Sequence, residues 1–586
     1  MCGITGAVST RPVDTDLVER MRDLLVHRGP DAAGLWRSAD RRVCLGHRRL
    51  AVVDLSPEAN QPFVSGDGRY SLTYNGELYG FHRLREELGV PFRTSSDTEV
   101  LLEAYRAWGE SCLDRLSGMF AFAIWDSVEQ RLFCARDRAG EKPFYYALTG
   151  GSFVFASELK SLLLWPSLRT ELDYEAVADF FVLGCVVDPR TIWRGVRKLE
   201  PGHSLTVELR DGSVTVGTPR QWWDLRLEPD RSVTDWRPEI LETLTRVAGE
   251  MAQADVPVGA FLSGGVDSSS IVAAVARGGR PLSTFTSGFE AEPFDERRWA
   301  RTVADRYAAD HTESLVEPAD VESVFPDWVL RHFEEPFNDH SYLPVLCVSR
   351  AAREAVTVAL TGDGADELFA GYARYMELAD GSYGEAHVLN SISAVTSEKE
   401  LRPVARGPLA DALETYSPTE RIREFLHNAP PEEVGVVNSR RYVDLKLTLG
   451  GDLLVKVDRA SMAVSLETRA VYLHRDMLDL ARRIPPEVLA DGSEAKKVLK
   501  AALEPWLPAD LLYRKKQGFS MPLGTWFCNG LRPLLAGLED ESRPLYGLVD
   551  PRFVASTVDR HLRGDGDRSM GLHGFVLLDR WLERWA

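Results

Sequence analysis

The chain has 586 residues, 44% apolar and 27% charged, with 69 basic against 88 acidic side chains and a net charge of −19. That length calls for two to four domains, and the acidic balance argues against non-specific binding of nucleic acid or anionic membrane, which needs a basic footprint. The seven cysteines include no C-x-x-C pair, which argues against a disulfide framework or structural zinc and suits a reducing, cytoplasmic setting.

The chain opens MCGITGAVSTRPVD, without the basic and apolar segments of a signal peptide, and no run of about 18 apolar residues follows anywhere. Cys2 follows the initiator Met, which cells usually trim before a small residue. Its thiol would then share a residue with a free α-amino group of pKa near ~8, able to act as its general base. Residues 1 to about 160 read as short alternating strands (Cys2–Val8, Arg42–Leu50, Tyr70–Asn75, Phe120–Asp126, Arg131–Arg136 and Phe153–Ser157). Helices are expected at Asp16–His27 and Thr98–Trp108, and the pattern predicts an α+β sandwich of antiparallel sheets.

We place a first domain at 1–205, a connector at 206–235 and a second domain at 236–586. The second begins with a helix (Arg237–Ala252), then alternates apolar segments (Gly259–Leu262, Leu282–Gly288, Thr357–Thr361) with helices to Ala276 and over Arg297–Arg306. That alternation predicts an α/β domain on a parallel sheet, mostly helical beyond Tyr372. The stretch Asp380 to Pro418 is the least readable.

Several polar clusters punctuate the first domain: HRGPD at 27–31, Arg49-Leu50 leading into Val53-Asp54-Leu55-Ser56, YNGE at 74–77 and SSDTE at 95–99. The last is explicable as a helix cap alone. Together they supply what an amino-acid amidase needs: an arginine for a carboxylate, carboxylates for an ammonium, and an amide plus a backbone N–H for an oxyanion. CGITG at 2–6, RGPD, RLAVVDLS at 49–56, YNGELY at 74–79 and SSDTEVLL at 95–102 resemble the glutaminase domain of the N-terminal-nucleophile amidotransferases, an αββα sandwich. The resemblance implies Cys2 as nucleophile, Asn75 and the Gly76 N–H as oxyanion hole, and Arg49, Leu50, Val53, Asn75, Glu77 and Asp97 around glutamine. The competing reading is a decayed, non-catalytic domain, but every chemical position is filled.

In the second domain, FLSGGVDSS (261–269) joins a strand to a helix, where glycines, hydroxyls and helix N–H groups can bind phosphate. It lacks the P-loop lysine. A second turn, TGDGADE (361–367), puts three carboxylates within five residues, either a solvated acidic loop or a metal site at the carboxyl end of a strand. These two strings, with GDGADELFAGY complete, resemble the adenylating domain of asparagine synthetases, an ATP-pyrophosphatase fold. The resemblance implies ATP on Leu262, Ser263, Gly264, Gly265, Asp267, Ser268, Ser269, Ser287, Thr361, Gly362 and Asp363, and Mg²⁺ on Asp267 and Asp366. It continues through LLVKVDRASM (453–462), SLETR (465–469), KKVLK (496–500) and RKKQGFSMP (514–522). It makes Lys496 the cation of acyl transfer and Glu467 a weaker candidate beside it; Lys515 and Lys516 can equally be exposed.

The resemblance thus covers nearly the whole chain and implies a glutamine-hydrolysing asparagine synthetase. ATP activates a carboxylate, aspartate first among them, and ammonia from glutamine displaces AMP. One departure stands out. After SLETR the family reads R-x-P-F-L-D, whereas this chain has RAVYLH (469–474), either a changed helix start or a retuned acceptor region. A natural-product carboxylic acid is the alternative acceptor. An intramolecular cyclase is disfavoured by the intact Cys2, a non-catalytic sensor by the complete phosphate loop, and a tRNA-modifying pyrophosphatase by the acidic charge. The expected partners are small molecules, not nucleic acid or membrane, and a homodimer is left open.

Overall fold

The computed structural model describes residues 1–280, 282–290, 294–379, 394–515 and 521–585. Part of the least readable stretch, 380–393, and Lys516 lie outside them. In chain order the N-terminal domain runs β1 (Gly3–Ser9), β2 (Ala32–Arg37), β3 (Val43–Arg49), β4 (Phe63–Val64), β5 (Tyr70–Leu78), β6 (Gly118–Asp126) and β7 (Arg131–Arg136). It continues with β8 (Tyr145–Thr149), β9 (Ser152–Ala156), β10 (Arg197–Lys198), β11 (His203–Arg210), β12 (Ser213–Val216) and β13 (Arg220–Gln221).

These strands form two antiparallel sheets, ordered β10-β8-β9-β1-β3-β2 and β12-β11-β7-β6-β5-β4, with β13 beside β11. Alternation decides the layering. Ile4, Val8, Leu45, Ala123, Trp125 and Phe155 point between the sheets, whereas Leu72, Tyr74 and Phe122 point outward under the Asp97–Trp108 helix. The Thr15–Asp23 helix covers the other outer face with Leu17, Val18 and Met21. The result is the expected sandwich, helix–sheet–sheet–helix.

Its expected boundary at 205 is corrected. Strand β11 crosses that residue and pairs with β7, and β12 and β13 pair with β11, so the supposed connector up to Gln221 is sheet. The backbone N–H and C=O groups there are committed to the sandwich.

The second domain carries β14 (Val258–Phe261), β15 (Ser283–Phe289), β16 (Asp310–Val316), β17 (Val358–Thr361) and β18 (Glu467–Ala470). All pair in parallel, in the order β16-β15-β14-β17-β18. Strand order reverses between β14 and β17, and a crevice at such a switch point is where parallel sheets take ligands. Strand β18 lies within the stretch expected to be helical. Helices Val436–Asp444 and Leu454–Met462 flank a π-helix, Leu445–Leu453, a rare winding that concentrates near functional sites.

Candidate active sites

Cys2 stands at the start of β1, buried among side chains of both domains. Its backbone N–H donates to Asn75 Oδ1 at 2.8 Å, and its carbonyl accepts from Arg28 Nε at 3.1 Å. With Asn75 Oδ1 so engaged, the amide is oriented and its buried Nδ2 has no protein partner among the described residues. An amide N–H so placed is available to an acceptor oxygen in the pocket, which is what the expected oxyanion role requires. Gly76 fits the same role: a Cβ there would lie 2.8 Å from Phe120 Cα and 2.6 Å from the Tyr74 ring.

Around this pair the remaining expected groups gather. Arg49 is held by the carbonyls of Ser56 (2.8 Å) and Val53 (3.3 Å), that of Asp54, and Asn60 Oδ1 at 2.8 Å. Asp97 accepts from the Tyr74 hydroxyl (2.9 Å) and the Leu78 N–H (3.0 Å). It is free to do so because Ser96, not Asp97, caps the helix, accepting from the Thr98 N–H at 3.1 Å. Glu77 lies 3.4 Å from Arg469 of the second domain. Burial raises the Cys2 thiol pKa, and the positive N-terminus, the Leu50 backbone and Arg49 offset this only in part.

Glu467 was expected at the synthetase centre. Instead its side chain lies in the Cys2 pocket, paired with the ammonium of Met1 and, at 2.8 Å, with Arg469. The reason is register. Glu467 pairs with Val358 at the start of β17, while the crevice opens beyond Thr361, about 10 Å further along the sheet. Met1 itself is buried and lines the pocket, which with Met1 attached keeps about 30 Å³, room for some two waters and not for glutamine. A space of about 310 Å³ adjoins it, sharing Val53 and Glu77 and walled by Glu250, Asp255 and Arg280 of the second domain.

The second site is a cavity of about 490 Å³ at the β14–β17 switch point. The SGGVDSS loop leaves β14 and enters the Val266–Arg277 helix, with Ser263 and Ser268 hydroxyls 3.2 Å apart and the Gly265 N–H on Ser263 Oγ at 3.3 Å. Gly264 has a φ of +73°, and a Cβ there would meet Trp299 and Ala300 at 2.5 Å. The acidic turn after β17 touches this loop, since a Cβ on Gly362 would lie 2.9 Å from Asp267 Cβ.

Lys496 completes the junction. It is not a solvated helical lysine but a buried residue with φ +57° that precedes the Lys497–Leu503 helix. Its ammonium reaches Asp366 at 2.8 Å and also Asp267. Burial works against that charge, but the two carboxylates outweigh it and lift the pKa above the usual lysine range. Of the three carboxylates in the acidic turn, Asp366 is thus paired with a cation of the protein itself, while Glu367 accepts from the Tyr372 hydroxyl at 2.7 Å.

Leu262, Gly264, Ser269 and Ser287 are not on the cavity wall. The Leu262 N–H is bound to the Phe285 carbonyl at 2.8 Å, Ser269 is buried, and Ser287 Oγ bonds Ser314 Oγ at 2.7 Å. Asp363, Thr361 and Gly362 do line the cavity, and Lys515 is exposed.

Three cavity residues were given no role from sequence. Lys456 Nζ lies 2.7 Å from both Asp339 Oδ2 and Ser341 Oγ. Asp339 sits well below the ordinary carboxylate range because Lys456 and His340 overcome the effect of burial. The signal available was a lysine, an aspartate and an arginine (456, 458, 459) inside an otherwise apolar helix.

The altered RAVYLH segment is not on this cavity's wall but lies directly behind it, Ala470 pairing with Thr361 and Leu473 packing on Gly364. His474 Nδ1 accepts from the Asp476 N–H at 3.2 Å, capping the Arg475–Ala481 helix, and its Nε2 is 3.1 Å from Ser117 Oγ in the first domain. Tyr472 places its hydroxyl 2.6 Å from Ser270 Oγ.

Comparison with known proteins agrees with this two-site division. The asparagine synthase family profile matches residues 239–583 and that of the glutamine amidotransferase domain matches 1–223. The chain is 32% identical to "Asparagine synthetase [glutamine-hydrolyzing] 1" of Bacillus subtilis, over 99% of this chain and 96% of the relative. It is 34% identical to a putative glutamine-hydrolysing asparagine synthetase of Mycobacterium tuberculosis, over 99% and 97%. It is also 28% identical to "Amidase chry2" of Gibberella zeae, over 90% of each chain.

Proposed function

The chain belongs to the glutamine-hydrolysing asparagine synthetase family, and from that premise we propose that it makes asparagine from aspartate, with ATP as activator and glutamine as nitrogen donor. The observation that carries this reading is strand β18. It is a strand of the nucleotide-type sheet, yet its Glu467 helps wall the Cys2 pocket and its Arg469 lies 3.4 Å from Glu77, so the sheet of the second domain supplies part of the first site.

In the first half-reaction, once Met1 is removed, the Cys2 sulfur attacks the amide carbon of glutamine. The α-amino group accepts the thiol proton, and the oxyanion is held by Asn75 Nδ2 and the Gly76 N–H. Collapse of that intermediate expels ammonia and leaves a thioester, which water hydrolyses to glutamate. Arg49 takes the α-carboxylate, and Glu77 and Asp97 take the α-ammonium.

In the second half-reaction, a carboxylate oxygen of the acceptor attacks the α-phosphorus of ATP. The bond to pyrophosphate breaks and an acyl-adenylate forms. Ammonia then attacks the acyl carbon and AMP leaves, with Lys496 stabilising the charge that develops. Asp267 and Asp366 fit magnesium, because two converging carboxylates with phosphate oxygens and water make the oxygen set this ion takes. When bound, it neutralises pyrophosphate charge.

Aspartate is favoured as acceptor because the cavity wall carries Lys456 and Asp339, one charge for each end of an amino acid, and because the altered RAVYLH segment is outside it. No described helix is long and apolar enough to cross a membrane, and the acidic composition and cysteine usage support a cytoplasmic enzyme; a homodimer is compatible with it. The test is pyrophosphate release with ATP, ammonia and a panel of carboxylic acids. Aspartate should give the highest kcat/KM. A different acid winning by more than tenfold would assign the specialised acceptor instead.

A further inference from the structure

The helix Leu454–Met462 sends charged side chains to both sites. Lys456 faces the synthetase cavity. Two residues on, roughly 200° around the helix, Asp458 grips Arg28 of the other domain in bidentate fashion, at 2.8 Å for each bond. The same guanidinium donates through Nη1 to Glu158 at 3.0 Å and through Nε to the Cys2 carbonyl at 3.1 Å. Arg28, Glu158 and Asp458 are all buried.

A guanidinium is a rigid planar fork, so a carboxylate on its two terminal nitrogens sets where Nε–H points. Cys2 is thereby held at both ends: Asn75 takes its N–H and Arg28 its carbonyl. The second hold is aimed by a residue of the synthetase domain. A buried pair of this kind is weak support for stability alone, since its desolvation cost can cancel its attraction. It does fix geometry.

We propose that Asp458 is a positioning residue for the Cys2 nucleophile, acting through Arg28, so that glutamine hydrolysis depends on where the Leu454–Met462 helix sits. This rests on Cys2 being the nucleophile. The helix that aims Arg28 is also the one whose Lys456 lines the synthetase cavity, and it grows directly out of the π-helix.

The experiment uses Asp458→Asn in the full chain and compares glutamine- with ammonia-supported amide synthesis. Misplacement of a reacting group by an ångström costs up to about a hundredfold. The ratio of glutamine- to ammonia-supported rates should therefore fall at least tenfold, through kcat for glutamine, with its KM changed less than threefold. Asp458→Glu should recover part of the loss. If both rates fall together, or the ratio is unchanged, Asp458 is a structural brace and the proposal is wrong. Arg28→Lys, which keeps the charge but not the fork, should give the same split and serves if Asp458→Asn does not fold. Cys2→Ala run alongside separates the two ideas: should it still use glutamine, the reading of the nucleophile fails first.

Discussion

The Lys496 ammonium lies 2.8 Å from the Asp366 carboxylate and also pairs with Asp267, so one buried cation joins the phosphate loop to the acidic turn. Lys496→Met would leave two carboxylates facing each other in the crevice and remove the cation from the reacting phosphate. Pyrophosphate release and amide formation from either nitrogen source should fall by about 10²-fold or more. Glutamine hydrolysis, measured as glutamate release, should continue.

Cys2→Ala divides the activities the other way. Glutamine should no longer support amide formation, and no glutamate should be released. With ammonia supplied directly the product should still form. Loss of both activities would show that the two sites do not divide the labour.

Asn75→Ala removes the oriented Nδ2 donor. Loss of one such donor lowers kcat by about 10²–10³-fold, and the KM for glutamine should move much less, since the interaction belongs to the transition state. Steady-state glutamine hydrolysis measures both. A change confined to KM would place Asn75 in ground-state binding only.

His474 caps a helix with Nδ1 and meets Ser117 across the domain boundary. His474→Ala should cost about 1 kcal/mol of stability through the lost cap, read in denaturant unfolding. The KM for the acceptor should stay within twofold, because the side chain is not on the cavity wall. A larger change in acceptor KM would return this segment to the specificity region.

Asp179, on the Tyr174–Leu183 helix, is pushed up to about 7 by burial, which the Tyr416 hydroxyl and Arg190 offset only partly. The unfolded chain releases this proton near ~4. The folded state therefore binds the extra proton between those values, and stability falls as pH rises through that window. Asp179→Asn keeps an acceptor for the Tyr416 hydroxyl, 2.6 Å away, without the buried charge. Its gain in thermal midpoint over the wild type should be larger at pH 8 than at pH 5. Equal gains at both would contradict the assignment.

Much of the fold is legible in residue order because alternation and turn chemistry are local. Strand β7 and the Arg297–Arg306 helix match the expected bounds, and β1, β3 and β6 differ by a residue or two. Strand β5 runs on from Asn75 to Leu78 because its backbone keeps pairing with β6 through Gly76. Several strands are not among the expected segments, β2, β8 and β12 in the first domain and β16 and β18 in the second, and for the last two the reason is physical. Strand β16, DHTESLV, is a polar edge strand with little alternation. Strand β18, ETRA, reads as solvent-exposed helix, yet all four residues are buried. Glu467 and Arg469 can be buried only because they neutralise each other, Met1 and Glu77, partners nearly four hundred or more residues away.

Residue order by itself determined the inventory: a cysteine behind the initiator Met, an asparagine–glycine pair in a strand, a serine–glycine loop between strand and helix, and an acidic turn. Each is a short string whose chemistry is carried by its own spacing. Only the tertiary structure decided which of these meet. It put Lys496 between Asp267 and Asp366, moved Glu467 to the sulfur's pocket, set Lys456 against Asp339, and tied Arg28 to Asp458. Buried charges take their positions from partners that compensate the loss of water, and in this chain those partners lie on other strands, other helices and, for Arg28, another domain.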